Sequence, residues 1–214
     1  MTDSPGTFIV LDGTEGSGKS TQARMLQERM AQSLGPGNVV LVRDPGTTRI
    51  GEQVRALLLN PDHAEMNMRG EMLLYMAARA QMMAEVILPA LAQDKVVICD
   101  RFVSSTLAYQ LGGDGLTAGD IVTVAGIAIR GRWPDLTILL DMPAGASMAR
   151  VNRAKDRIEQ RPPEYHEQVR RNYLAQAERD PRRYRVINAD RDPREVHDDV
   201  LAEVTRQLLT KRTP

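Results

Sequence analysis

The stretch "FIVLDGTEGSGKSTQ", Phe8 to Gln22, passes from an apolar run through an acid and a glycine-rich turn into Gly-Lys-Ser-Thr. Within it, "GTEGSGKS", Gly13 to Ser20, fits the pattern G-x-x-x-x-G-K-[ST], placed between a predicted strand and a predicted helix as that motif requires. Gly13, Gly16 and Gly18 permit turns that side chains forbid, so successive N–H groups can converge on an anion. A helix beginning near Lys19 adds its positive end. Lys19 is the cation for the outer phosphates of a nucleoside triphosphate, and the Ser20 hydroxyl is suited to Mg²⁺. Thr14, Glu15, Ser17 and Thr21 complete the expected ATP-binding loop. Glu15 is out of place among phosphate-binding amides unless it faces a metal or a hydroxyl.

Working outward, "TFIVLD" (7–12), "NVVLVR" (38–43), "KVVICD" (95–100), "LTILLD" (136–141) and "RYRVIN" (183–188) read as strands. Their Val, Ile and Leu runs lack polar alternation, as expected of strands covered on both faces. Helical patterns fall near 19–34, 50–59, 69–92, 103–109, 117–131, 145–154, 163–179 and 193–210. The alternation predicts an α/β fold: a three-layer P-loop NTPase architecture with a five-stranded parallel sheet flanked by helices. Loops are expected at 35–38, 44–48, 111–116 and 159–165. No linker or repeat divides the chain, so a single domain over 1–214 is expected. Three of the first four strands end in Asp and the other runs into Arg43-Asp44, which gathers polar residues where open α/β sheets bind ligands.

Composition narrows the class. Lys plus Arg and Asp plus Glu number 28 each, so no net field draws the chain to nucleic acid or to a membrane. The single cysteine, Cys99, excludes an internal disulfide and suits a reducing compartment. "MTDSPGTF" has no signal-peptide character, and no apolar run is long enough to span a bilayer. A cytoplasmic protein is expected.

Beyond the phosphate loop, "VVICDRFVSSTLAYQ" (96–110) puts Asp100 and Arg101 where a strand leaves the sheet. The acid suits Mg²⁺, and the guanidinium offers a planar fork to a second anion beside the first. Tyr75 and Arg79 are spaced i, i+4 and share a helical face. Read from the residues alone, an arginine in so apolar a segment needs a partner if buried, such as a nearby acid, with Tyr75 in the core.

With these motifs in hand, the chain resembles thymidylate kinases, members of the nucleoside monophosphate kinase family. The resemblance spans roughly residues 7–205. It rests on "DGTEGSGKST", "RDPGTTRIGEQVR", "LLYMAARAQ", "DRFVSSTLAYQ", "PDLTILLD" and "DRIEQ", in that order. It implies phosphoryl transfer from ATP to dTMP with Mg²⁺, giving ADP and dTDP, in a homodimer. It assigns Glu15 to the sugar 3′-hydroxyl and metal region, Tyr75 and Arg79 to the thymine, and Arg101 to the acceptor phosphate. Tyr109 and Gln110 fall to sugar and base, with Ser105 and Asp44 as further acceptor-side residues. Rival readings are a kinase of dUMP, UMP or thymidine, and a P-loop ATPase or switch without an acceptor.

The segment 149–165 concentrates Arg150, Arg153, Lys155, Arg157 and Arg161. Between the central glycines of the phosphate loop stands Ser17 and not a basic residue, and the resemblance then implies that a lid, about 150–163, carries the catalytic arginine. Arg153 and Arg157 are the expected catalytic pair, with Arg150 on the ATP side. The sequence departs from the family pattern at Asp44 and Thr47, at Met82 in place of a common His, at Ser104 in place of a common Asp, and in a lid about two residues shorter.

Overall fold

A computed structural model describes residues 5–212; of the expectations above, the first four residues of the leader reading and the last two of the 1–214 domain lie outside them. The five expected strands form one wholly parallel sheet: β1 (Thr7–Asp12), β2 (Val39–Arg43), β3 (Val96–Asp100), β4 (Leu136–Asp141) and β5 (Tyr184–Asn188), in the order β2-β3-β1-β4-β5. Each boundary lies within a residue of its expected place. The runs of β1, β3 and β4 are buried because both faces are covered, whereas the edge strands β2 and β5 are only partly buried and Val186 of β5 is exposed. Phe8 and Val10 point into one core with Val97, Cys99 and Phe102, while Ile9 and Leu11 point into the other with Ile98, Ile138 and Leu140. Burying each such side chain stabilises by about 1.5–3 kcal/mol.

Helices α1 (Lys19–Leu34) and α9 (Pro193–Arg212) cover the second face. On the first lie α3 (Met68–Met82), α4 (Leu88–Ala92), α5 (Val103–Tyr109) and α6 (Ala118–Ala128). Helix α2 (Arg49–Leu59), capped by Thr48 accepting from the Gly51 amide, packs on α3. Short α7 (Ala144–Ala149) and long α8 (Pro163–Arg179) flank the segment 150–162.

Three helical expectations need adjustment. The run at 69–92 is continuous but contains a π-turn, Met83–Ile87, just ahead of Pro89, whose missing N–H removes one ladder bond. The helix expected over 117–131 is capped by a Thr117–Asp120 box and ends at Ala128, before Arg130 and Gly131 adopt positive φ. The helix expected over 145–154 stops at Ala149: the next residues have no apolar stripe, and Arg153 bonds Glu159 instead. Two expected loops contain single 3₁₀ turns, at Pro36–Asn38 and Gly113–Gly115. No helix among the described residues is long and apolar enough to cross a membrane.

In register, Asp100 lies beside Leu11 and Arg43. The strand order reverses around β1, so the ligand-binding crevice of such sheets falls at its carboxyl end, where the glycine turn begins.

Candidate active site

The turn from Gly13 to Gly18 is shaped by positive φ at its three glycines, 143°, 74° and 90°. At Gly16 glycine is obligatory for a second reason, since a Cβ there would stand 1.9 Å from the Ser147 carbonyl oxygen. Thr14 Oγ1 donates to Ser147 Oγ at 3.2 Å, which fixes the loop to α7. Gly18 starts α1 with no side chain capping its first turn, leaving those amides to a bound anion. Lys19 arches back over the loop, with Nζ 2.5 Å from the Thr14 carbonyl. Its pKa is lowered to about 8, first by burial and then by Arg101, with Glu15, Asp100 and Asp12 opposing.

Arg101 joins this loop to the next part of the site. It takes φ of 70°, uncommon for a residue with a Cβ. Its Nη1 donates to the Gly13 carbonyl (3.1 Å), Ser105 Oγ (3.1 Å) and Tyr173 Oη (3.2 Å), and its Nη2 to Glu15 Oε1 (3.0 Å). Tyr109 Oη donates to the other Glu15 oxygen at 2.6 Å. Burial alone would raise the Glu15 pKa, but Arg101, Lys19 and the Tyr109 hydrogen bond outweigh it and hold the carboxyl below its ordinary range. Beneath them lies fully buried Asp12, which accepts from Ser105 Oγ, Ser104 Oγ, Tyr173 Oη and the Gly13 amide.

A cavity of about 560 Å³ opens over these groups. Its walls include Glu15, Gly16, Gly18, Lys19, Ser20, Thr21, Asp44, Asp100, Arg101, Ser105, Tyr109 and Gln110. Tyr75 and Arg79 line it as well, so the shared helical face does meet the cleft. Arg79 is also paired: Nε donates to Asp44 Oδ2 at 2.6 Å, and Nη2 donates to the Phe102 carbonyl and Thr106 Oγ1. Arg79 thus has the nearby acidic partner that one reading of the sequence expected. Burial raises the Asp44 pKa against the pull of Arg79, and Asp44 Oδ1 is buried without a hydrogen-bond partner. Gln110 Nε2 donates to Glu71 Oε1 at 2.6 Å. Thr47, one of the departures from the family pattern, accepts from the Arg43 amide and gives its own to Glu52, while Met82 is wholly in the core.

Ser20 Oγ donates to Asp100 Oδ2 at the start of α1. These are hard oxygen donors beside the phosphate loop, the set Mg²⁺ takes together with phosphate oxygens and water. The residues present fit that ion.

The basic segment divides. Arg150 and Arg153 line the cavity, Arg150 resting on Asp190 at 2.9 Å and Arg153 forked on Glu159 at 2.6 and 2.8 Å. Arg157 is not brought to the cavity wall. It is buried, with Nε on the Leu58 carbonyl and Nη2 on Glu71 Oε2, an oxygen it shares with Arg161.

Sequence reasoning missed Asp12, Tyr173, Glu71, Thr106 and Arg55. Asp12 was visible as a strand-end acid, and Arg55 lies within the quoted "RIGEQVR". Arg55 lines the cavity, donates to the Pro45 carbonyl and has its pKa lowered by burial and by Arg43. Tyr173 and Glu71 carry no local signal, because their partners are far away in sequence.

The profile of the thymidylate kinase family matches residues 11–200. A thymidylate kinase of Pelotomaculum thermopropionicum is 49% identical over 199 residues, covering 92% of this chain and 91% of that protein. One of Desulforudis audaxviator is 44% identical, covering 97% and 93%. The crystal structure of thymidylate kinase from Ehrlichia chaffeensis superposes with a TM-score of 0.77 at 32% identity, covering 94% of this chain and 98% of that one. Matched by the family profile over most of its length and by relatives at up to 49% identity, the chain belongs to the thymidylate kinase family.

Proposed function

We propose that this cleft transfers the γ-phosphoryl group of ATP to the 5′-phosphate of dTMP, giving ADP and dTDP. The observation that carries the reading is that Arg101 bonds the phosphate loop itself, at Gly13 and Glu15, so a second anion site stands directly beside the first. A switch or simple ATPase has no use for such a neighbour.

On the donor side, the loop amides and Lys19 hold the β- and γ-phosphates. Ser20 and Asp100 would hold Mg²⁺, which when bound neutralises donor phosphate charge. On the acceptor side, Arg101 with Arg55 grips the dTMP phosphate, Glu15 and Tyr109 meet the sugar, and Ser105 and Gln110 close the floor. Tyr75 offers its ring to the base. Arg79, already fixed by Asp44 and lying over the Phe102 face at 5.2 Å, presents to a base carbonyl the second N–H of Nη1, whose first donates to Met76 Sδ. The attacking phosphate oxygen is anionic near neutral pH, so no side chain needs to remove a proton. Catalysis is then positioning plus charge stabilisation.

The segment 150–163 acts as the lid. Arg153, with a side chain 59% exposed, can exchange Glu159 for the moving phosphoryl group, and Arg150 can exchange Asp190 for the donor. Arg157 holds the base of the lid to α3 rather than touching the reacting atoms. Leu73 of α3 with Val122 and Ile127 of α6 leave an exposed apolar face on which a second copy would pack to form a homodimer. The reaction is placed in the cytoplasm, since a single buried free cysteine suits a reducing compartment.

A coupled assay comparing dTMP with dUMP, dCMP and thymidine tests the reading. The specificity constant should be highest for dTMP. A preference for thymidine, or ATP turnover indifferent to every acceptor, would overturn it.

A further inference from the structure

His166 lies in the first turn of α8, only 3% exposed, with its ring edge against Tyr165 at 5.6 Å. Its two nitrogens have different surroundings. Nε2 is 3.2 Å from the Arg161 carbonyl oxygen, which can only accept, so Nε2 carries a proton and donates. Nδ1 is buried without a hydrogen-bond partner and faces Glu15 Oε2 at 3.9 Å. Buried polar atoms left unpaired are uncommon and costly. The charged and titratable groups around this ring are Glu15, with Arg101 and Tyr109 on its two oxygens, and, from its own side, Arg161 and Tyr165.

In the present arrangement Glu15 takes its charged hydrogen bond from Arg101. An acceptor phosphate draws that guanidinium away, and the carboxylate then loses its hydrogen-bonded cation inside a buried site, with Lys19 left as a cation that makes no hydrogen bond to it. The nearest group able to replace it is His166, about 1 Å short of hydrogen-bonding range. Both neighbours of the ring are acceptors, so a ring that joins them donates from both nitrogens.

We propose that His166 is a positioning residue for Glu15: as an imidazolium it ties the end of the lid, at the Arg161 carbonyl, to the Glu15 carboxylate when dTMP recruits Arg101. The inference rests on the reading of Glu15 as the ligand of the acceptor sugar. It makes closure of the lid and orientation of the sugar one event, because a single ring spans the two.

The test compares His166→Phe, His166→Gln and His166→Asn, with Glu15→Gln and the Glu15→Gln/His166→Phe double variant. The Asn amide can donate from near the Nδ1 position, whereas Gln donates only from near Nε2. His166→Phe and His166→Gln should raise the KM for dTMP about tenfold, the size of a charge-assisted hydrogen bond, with the KM for ATP unchanged. His166→Asn should recover most of that loss, and the double variant should be no worse than Glu15→Gln alone. If Glu15→Gln leaves dTMP kinetics unchanged, the reading of Glu15 fails and this inference with it. If Glu15→Gln is impaired while His166→Phe matches wild type, or Asn behaves like Phe, the inference fails alone. The wild-type enzyme gives an answer independent of any variant: ¹⁵N shifts of His166 with dTMP bound should show both ring nitrogens protonated, and a neutral ring would overturn the proposal.

Discussion

Arg79 and Asp44 lie 2.6 Å apart with side chains each 1% exposed, an ion pair set into the cavity wall between α3 and the end of β2. A pair so placed is more expensive to break than to have formed, since removing one member strands the other.

Replacing Arg79 by Met should therefore cost about 3–5 kcal/mol of stability and also weaken dTMP binding. The double change Arg79→Met with Asp44→Asn should regain part of the stability but none of the binding. Urea denaturation and the KM for dTMP separate the two effects. Equal stability of the single and double variants would contradict the pairing argument.

Arg153 and Arg157 should part company. Arg153→Ala removes a group that can reach the moving phosphoryl, so kcat should fall about 10²–10³-fold with stability almost unchanged. Arg157→Ala leaves Glu71 buried with less compensation and should lower the melting temperature by several degrees. A kcat loss from Arg157→Ala with an unshifted melting curve would place it back in the chemistry.

Lys19 gives the pH dependence. Its pKa in the folded chain is about 8, below that of an exposed lysine, so the unfolded state binds more protons between these values. The buried charge thus penalises folding below pH 8, by about 3 kcal/mol, and the penalty fades as pH rises from 8 towards 10.5. Bound phosphates favour the charged form, so ATP binding at pH 8.5–9 should take up protons. Calorimetry in buffers of different ionisation enthalpy should register that uptake, and Lys19→Met should abolish it.

Gly16→Ala sets a methyl group against the Ser147 carbonyl oxygen in a backbone conformation that alanine resists. ATP affinity should fall by at least tenfold while the far side of the sheet keeps its fold. Wild-type ATP titration in this variant would show that the loop can shift away from α7.

The strands were legible because apolar runs without alternation have one common use, burial on both faces. The glycine turn was legible because its chemistry fixes residue type at each position. The destination of Arg157 was not. A basic run states that charge is present, but its partner, Glu71, is set by how α3 crosses the chain after residue 150. Asp12 shows the same limit: it could be recognised as a strand-end acid, yet Tyr173, which binds it, lies 161 residues further on. The end of α6 was blurred because Arg130 and Gly131 turn to positive φ, a backbone change that the apolar pattern does not announce.

That single carboxylate at the end of β1 collects hydroxyls from α5 and α8 and an amide from the glycine turn. Three segments distant along the chain therefore share one knot, and none can loosen without exposing the same buried charge. Their amides should exchange with deuterium at a common rate, as one cooperative patch whose opening frees both substrates at once.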